Sequence, residues 1–154
     1  MNSKSVKHTN LKNKIHSGKV RDIYEIDEDK LLFVATDRIS AFDVIMEQTV
    51  PGKGIVLNNL SSFWFDLFNN YNTHYISKAQ DFDFSNTEYD EIFDLEILKR
   101  STVVKKAKRI DMECVVRGYI TGSAWNEYKS SSSVNFKPIV DNLLEAEKFK
   151  TPIF

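Results

Sequence analysis

The sequence predicts an α+β fold, a mostly antiparallel sheet with a long covering helix, and three observations carry that expectation. Ile23-Tyr24-Glu25-Ile26 and Leu31-Leu32-Phe33-Val34-Ala35 flank the polar turn Asp27-Glu28-Asp29-Lys30, the pattern of a β-hairpin. From about Val56 to Tyr71, the residues Leu60, Phe63, Trp64, Leu67, Phe68 and Tyr71 recur at intervals of three and four. That is the period of a helix whose apolar stripe would cover the hairpin sheet. Cys114-Val115-Val116 has the apolar, β-branched character of a buried strand, and Ala124 to Lys129 reads as a short helix with Ser123 at its N-cap.

The remaining segments connect these elements. Pro51-Gly52-Lys53-Gly54 is the loop before the long helix, and its glycines are too closely spaced for a phosphate loop. Between Gln80 and Asp94 acids alternate with aromatics, which reads as a surface excursion with a short helix at Glu91 to Arg100. Ser130 to Ser133 reads as a flexible linker. The first fourteen residues are rich in lysine and free of acids, and read as a flexible N-terminal arm.

Composition excludes several classes. A chain of 154 residues with 42% hydrophobic and 28% charged residues is ordinary globular material, long enough to bury one core without staples. A net charge of -1 supplies no basic field for nucleic acid, and Lys105-Lys106-Ala107-Lys108-Arg109 reads as a strand end with solvated lysines. No apolar run approaches the roughly 20 residues that span a bilayer. Cys114 is the only cysteine, so an internal disulfide is excluded and a reducing, cytoplasmic compartment is expected. Its apolar neighbours make it a core side chain rather than a nucleophile. His8, His16 and His74 lack metal-ligand spacing.

Three segments carry chemistry. In Ser17-Gly18-Lys19-Val20-Arg21-Asp22 a glycine precedes a strand, so backbone can lie against a phosphate chain, and Lys19 and Arg21 at a spacing of two would share one face. Thr36-Asp37-Arg38-Ile39-Ser40-Ala41-Phe42-Asp43 is a polar cluster at a strand end, where sites are assembled, and equally a turn in which Asp37 and Ser40 satisfy neighbouring backbone. In Glu113 to Ser123, a strand delivers Arg117 to a Gly122-Ser123 turn that opens a helix. A helix N-terminus offers N–H groups and partial positive charge to an anion, and Arg117 adds a planar fork of donors.

Together these three segments, in this order, resemble the phosphoribosylaminoimidazole-succinocarboxamide synthase (SAICAR synthetase) family, and the resemblance runs from about Ser17 to the last residue. It implies a kinase N-lobe-like domain with the long helix on one sheet face and an ATP cleft on the other. It also implies an ATP-dependent ligase of purine biosynthesis. ATP phosphorylates the carboxylate of carboxyaminoimidazole ribonucleotide, and L-aspartate attacks the acyl phosphate to give the succinocarboxamide, ADP and phosphate. By this resemblance Gly18, Lys19, Val20 and Arg21 bind ATP. Arg117, Ser123, Asp37, Arg38 and Ser40 bind substrate, with Ser123 at the ribonucleotide phosphate. Backbone just before Met112 passes the adenine, and Mg²⁺ accompanies the nucleotide. Residues 15–120 then form the ATP-cleft domain, and 121–154 the start of a second domain.

Two departures from the family are visible. Asp111 stands where a proline is usual, two residues before Glu113. The chain ends on Thr151-Pro152-Ile153-Phe154, where family members continue for roughly as many residues again with an Asp-Glu-Asn run and a lysine and glutamate beside an Asp-Glu pair. The expectation is therefore an N-terminal portion of a longer enzyme, weakly binding and inactive alone. A nucleotide-binding module and a non-catalytic scaffold are the alternatives.

Overall fold

The computed structural model describes residues 4–89, 94–139 and 142–154. The chain divides into two compact units, Met1–Lys108 and Arg109–Phe154, so the boundary lies earlier than the position 120 expected from sequence.

The first unit runs β1 (Lys14–Ser17), β2 (Arg21–Glu25), β3 (Lys30–Ala35), β4 (Arg38–Ala41), β5 (Val44–Thr49), α1 (Lys53–Leu67), β6 (Tyr75–Lys78), a 3-10 turn (Ala79–Asp81), α2 (Leu95–Lys99) and β7 (Ser101–Lys105). Five strands form one sheet in the order β1-β2-β3-β7-β6, every neighbour antiparallel. The expected hairpin is β2–β3, with Arg21 opposite Ala35 and Glu25 opposite Leu31. β4 and β5 form a separate hairpin. Its turn residues Phe42 and Asp43 both have positive φ, 48° and 66°, the geometry that matches strand twist in a two-residue turn.

Alternation gives the five-stranded sheet two different faces. Tyr24, Leu32, Val34 and Val103 point to one, where Ala79, Phe84 and Tyr89 complete a buried cluster with Phe82 against it. The acid-and-aromatic segment expected to be a surface excursion thus supplies core, because its aromatics, with Ile97 and Leu98 of the short α2, cover the sheet face that α1 leaves open. Of the helix expected over 91–100, the structure has Leu95–Lys99, capped by Asp94 accepting from the Glu96 N–H; residues 90–93 lie outside the described set.

α1 lies on the other face, and its orientation reverses the expectation. Leu60, Phe63, Trp64, Leu67 and Phe68 are about half exposed and Tyr71 more so. The buried residues are Gly54, Asn58 and Ser62. Close approach selects this small, polar face: a Cβ on Gly54 would sit 2.2 Å from the Ala35 carbonyl oxygen. Asn58 Nδ2 then reaches the Lys99 and Ser101 carbonyls at 3.3 and 3.2 Å. Of the helix aromatics only Phe65 turns inward, stacking on Tyr75 at 4.8 Å.

Residues 6–14 do not behave as the flexible arm expected from their charge. Val6 N–H donates to Asp37 Oδ2 at 2.8 Å, Thr9 is buried, and its hydroxyl donates to Asp22 Oδ2 at 2.6 Å. Buried carboxylates recruit backbone and hydroxyl donors from whatever segment is adjacent, and here that segment is the N-terminus.

The second unit comprises β8 (Arg117–Tyr119), α3 (Gly122–Ser131), β9 (Ser133–Val134), β10 (Lys137–Pro138) and β11 (Lys148–Ile153). β8 pairs with β11 and β9 with β10, around Ile120, Ala124, Val134 and Phe149. Cys114, Val115 and Val116 are exposed and irregular rather than a buried strand, because pairing with β11 starts only at Arg117. Ser130 and Ser131 belong to α3, not to a linker; the helix ends at Ser132 with φ 54°. Among the described residues no helix is long and apolar enough to cross a membrane.

Candidate functional site

Between α1 and its sheet face lies a cavity of about 290 Å³, on the helix side of the sheet rather than the opposite side expected for the ATP cleft, which the buried cluster fills. Val20, Phe33, Ala35, Leu57, Phe65 and Val104 give it apolar walls, and Arg21, Lys53, His74, Thr36, Asn58 and Ser61 give it polar ones. Arg21 arrives on the first residue of β2 and Lys53 on the first residue of α1. Neither cation makes a side-chain hydrogen bond or ion pair among the described residues, and no carboxylate lines the cavity.

The charges show the effect of this enclosure. Burial pushes the Lys53 ammonium below its ordinary value; Asp37 opposes the shift, while Arg21 and Arg38 add to it. His74 is likewise pushed down, by burial and then by Arg21, and packs edge-on to Phe65 at 5.5 Å. A partly dehydrated space with two cations and no carboxylate in its lining favours an anion.

The residues singled out in the sequence distribute unevenly around this cavity. Gly18 makes the turn before β2, its N–H donating to the Arg21 carbonyl at 2.7 Å. Val20 and Arg21 line the cavity. Lys19 does not share a strand face with Arg21: it sits in the bend before β2 and pairs with Asp43 at 2.5 Å on the surface. Lys53 is not legible as a site residue from its glycine spacing, which fits no phosphate loop; a lysine opening a long helix is the available signal.

Asp37 and Arg38, expected to touch substrate, are 0% and 2% exposed. Arg38 spends its fork on protein: Nε donates to the Lys19 carbonyl at 3.1 Å, Nη1 to the Lys7 carbonyl at 2.7 Å, and Nη2 to the Gly18 carbonyl and Asp22 Oδ1, both at 2.9 Å. Asp37 accepts from the Gly54 N–H at 2.8 Å and from Arg100 Nη1 at 2.9 Å. Charged side chains are buried this fully only when paired, and these two have their donors and acceptors committed inside the fold. Burial alone would raise the Asp37 carboxyl, but the Val6 and Gly54 amides and Arg100 outweigh it and hold it low. Ser40 is half-buried in β4, opposite Ile45.

In the second unit Arg117 and Ser123 do come together. Arg117 Nη2 donates to Ser123 Oγ at 3.1 Å. Ser123 is the second residue of α3, not its cap; that position is Thr121, whose side chain makes no capping bond. Gly122, at φ 58° with open space around it, allows the tight entry.

Residues 14–154 match the family profile for SAICAR synthetase. The chain belongs to the SAICAR synthetase family. It is 47% identical over 141 residues to phosphoribosylaminoimidazole-succinocarboxamide synthase of Pichia angusta, covering 89% of this chain and 46% of that protein. With the Saccharomyces cerevisiae enzyme it shares 48% identity over 142 residues, at 89% and 46% coverage. Its fold superposes on the S. cerevisiae SAICAR synthase complexed with SAICAR at a TM-score of 0.84 and 43% identity, over 97% of this chain and 53% of that one. A type-2 SAICAR synthetase in complex with ADP shares the fold at a TM-score of 0.63 and 24% identity, over 90% and 47% of the two chains. The chain thus spans about half the length of the relatives it matches.

Proposed function

We propose that this chain supplies the nucleotide-binding half of an ATP-dependent ligase that joins L-aspartate to carboxyaminoimidazole ribonucleotide, the reaction implied by its family. The observation that carries the reading is the convergence of Arg21 and Lys53, both without protein acceptors among the described residues, on one carboxylate-free cavity beside the Gly18 turn.

In this reading the γ-phosphoryl group of ATP passes to a carboxylate oxygen of the ribonucleotide, the β–γ bridging bond breaks and ADP leaves. The aspartate amine then attacks the acyl carbon, phosphate departs with the C–O electron pair, and the nitrogen loses a proton. Phosphoryl transfer asks a protein mainly for position and positive charge. Arg21 and Lys53 provide the charge, and a unit pair at 4 Å is worth about 4 kcal/mol at an effective dielectric near 20. Gly18 and Val20 offer backbone, and Lys19, paired with Asp43 on the surface, would have to leave that partner to reach a phosphate. Arg117 and Ser123 would hold the ribonucleotide phosphate as one two-residue grip, with Ser40 a further substrate contact. A cytoplasmic location belongs to the same reading.

Mg²⁺ is the expected companion of the nucleotide. It needs carboxylates together with phosphate oxygens, and among the described residues no three His, Cys, Asp or Glu side chains gather into a metal site. No carboxylate lines the cavity, so the lining itself offers the ion no ligand.

The test is coupled turnover of ATP, L-aspartate and carboxyaminoimidazole ribonucleotide by this chain and by a chain extended to the length of its relatives. Turnover in the extended chain alone supports the ligase; turnover in neither, with ATP still bound, favours a nucleotide-binding module.

A further inference from the structure

Asp37 and Arg38 are adjacent, fully buried and oppositely charged, yet they do not pair with each other. Each is committed to a different segment bordering the cavity. Arg38 donates to the carbonyls of Gly18 and Lys19 at 2.9 and 3.1 Å, which fixes the turn that carries Arg21. Asp37 Oδ1 accepts from the Gly54 N–H at 2.8 Å. That amide belongs to the first turn of α1, where the N-cap Gly52 contributes no side chain, so a carboxylate from a distant strand end caps the helix that carries Lys53.

Each contact is braced from behind. Asp22 holds Arg38 at 2.9 Å and Arg100 holds Asp37 at 2.9 Å. Thr36 adds a third tie to the loop, its N–H and hydroxyl both reaching the Val20 carbonyl, at 3.0 and 2.8 Å. A planar guanidinium fork spanning two successive carbonyls specifies an orientation, which a single ammonium does not.

We propose that Asp37-Arg38 is a positioning pair: from one point where β3 passes into β4 it sets the relative placement of Arg21 and Lys53, and so the affinity of the cavity for a polyphosphate. The inference rests on the nucleotide reading above. It makes the dipeptide a determinant of phosphate binding through two other residues, with no contact to the ligand itself. Burial explains why: with both groups consumed by backbone and by buried partners, their influence on an anion runs through the segments they hold.

The probes are inorganic tripolyphosphate and ADP, titrated into the whole chain well below its melting temperature. Arg38→Lys keeps the charge opposite Asp22 but loses the fork. Tyr89→Phe, which removes a buried hydroxyl bonded to the Lys12 and Glu25 carbonyls, is the control for destabilisation remote from the cavity. The expected result is at least a tenfold loss of tripolyphosphate affinity in Arg38→Lys, against less than twofold in Tyr89→Phe. Equal affinities in Arg38→Lys and the wild type overturn the proposal.

If Arg38→Lys does not fold, hydrogen exchange on the wild type decides. Tripolyphosphate should slow exchange at the Gly18 and Gly54 amides together, and protection of one without the other contradicts a shared anchor. A wild type that binds neither probe removes the nucleotide reading and the proposal with it, whereas binding that ignores Arg38→Lys removes the proposal alone.

Discussion

Arg38 and Asp22 form an ion pair from which water is excluded: Nη2 lies 2.9 Å from Oδ1, and the two side chains are 2% and 0% exposed. Asp22 also accepts from the Thr9 amide and hydroxyl and from the Ser17 hydroxyl. A buried charge pair is tolerable only when its remaining lone pairs and protons are satisfied, and here the satisfying groups come from the N-terminal segment and from the turn before β2. The pair therefore joins three stretches of chain that local sequence leaves unconnected.

Asp22→Asn leaves the Arg38 charge buried without its counter-ion and is expected to cost about 3–5 kcal/mol. Burial by itself would raise the Asp22 carboxyl, but the hydrogen bonds from Arg38, Thr9 and Ser17 outweigh it and hold it well below the usual carboxylate range. A carboxyl depressed by folding stabilises above its unfolded value, about 3.9, and that contribution is lost as pH falls from there toward the folded value. Urea denaturation should therefore show wild-type stability falling more steeply than that of Asp22→Asn below about pH 4. Parallel curves would show that the pair contributes nothing specific.

Gly54→Ala places a methyl group 2.2 Å from the Ala35 carbonyl oxygen and 2.6 Å from Arg100 Nη1. Neither backbone nor a buried, paired arginine can give way cheaply, so α1 must lift off the sheet. The expected loss is about 3 kcal/mol or more, read as a lowered melting temperature and weakened protection of the Gly54 amide. Unchanged stability would mean that α1 sits further from β3.

The outward orientation of the apolar stripe on α1 has its own test. Leu60→Ala should cost below about 1 kcal/mol, because Leu60 is 49% exposed. Leu32→Ala, in the opposite core at 0% exposure, should cost about 2–5 kcal/mol. Similar losses at the two positions would restore the helix orientation that periodicity suggests.

Tyr89 donates to two carbonyls, those of Lys12 and Glu25, and burial with help from Glu88 pushes its hydroxyl up to about 12. In a spectrophotometric titration of the six tyrosines, one should remain un-ionised above pH 11, and Tyr89→Phe should remove that late step alone.

Much of the fold was legible because it is local. The β2–β3 hairpin follows from alternation and a polar turn within about fifteen residues, and the nearness of Arg117 to Ser123 is local too, although the strand is Arg117–Tyr119 rather than the expected Cys114–Val116. What failed was tertiary. Periodicity finds the stripe Leu60, Phe63, Trp64 and Leu67 but not which side of α1 meets the sheet, and close approach selected Gly54, Asn58 and Ser62 instead. Asp37 and Arg38 read as site residues because their cluster stands at a strand end and resembles the family's loop; their partners, Arg100 and Asp22, are 63 and 16 residues away. Lys53 joins Arg21 at the cavity for the same non-local reason, since the β4–β5 hairpin between them folds the chain back before α1 begins.

The most direct test of the account is an NMR titration of ATP into this chain and into Arg21→Ala and Lys53→Ala, followed at the amides of Gly18, Val20, Gly54 and His74. Saturable shifts are expected at all four in the wild type, with at least tenfold weaker binding in each variant. Shifts confined to other residues, or affinity unchanged by both substitutions, would contradict it.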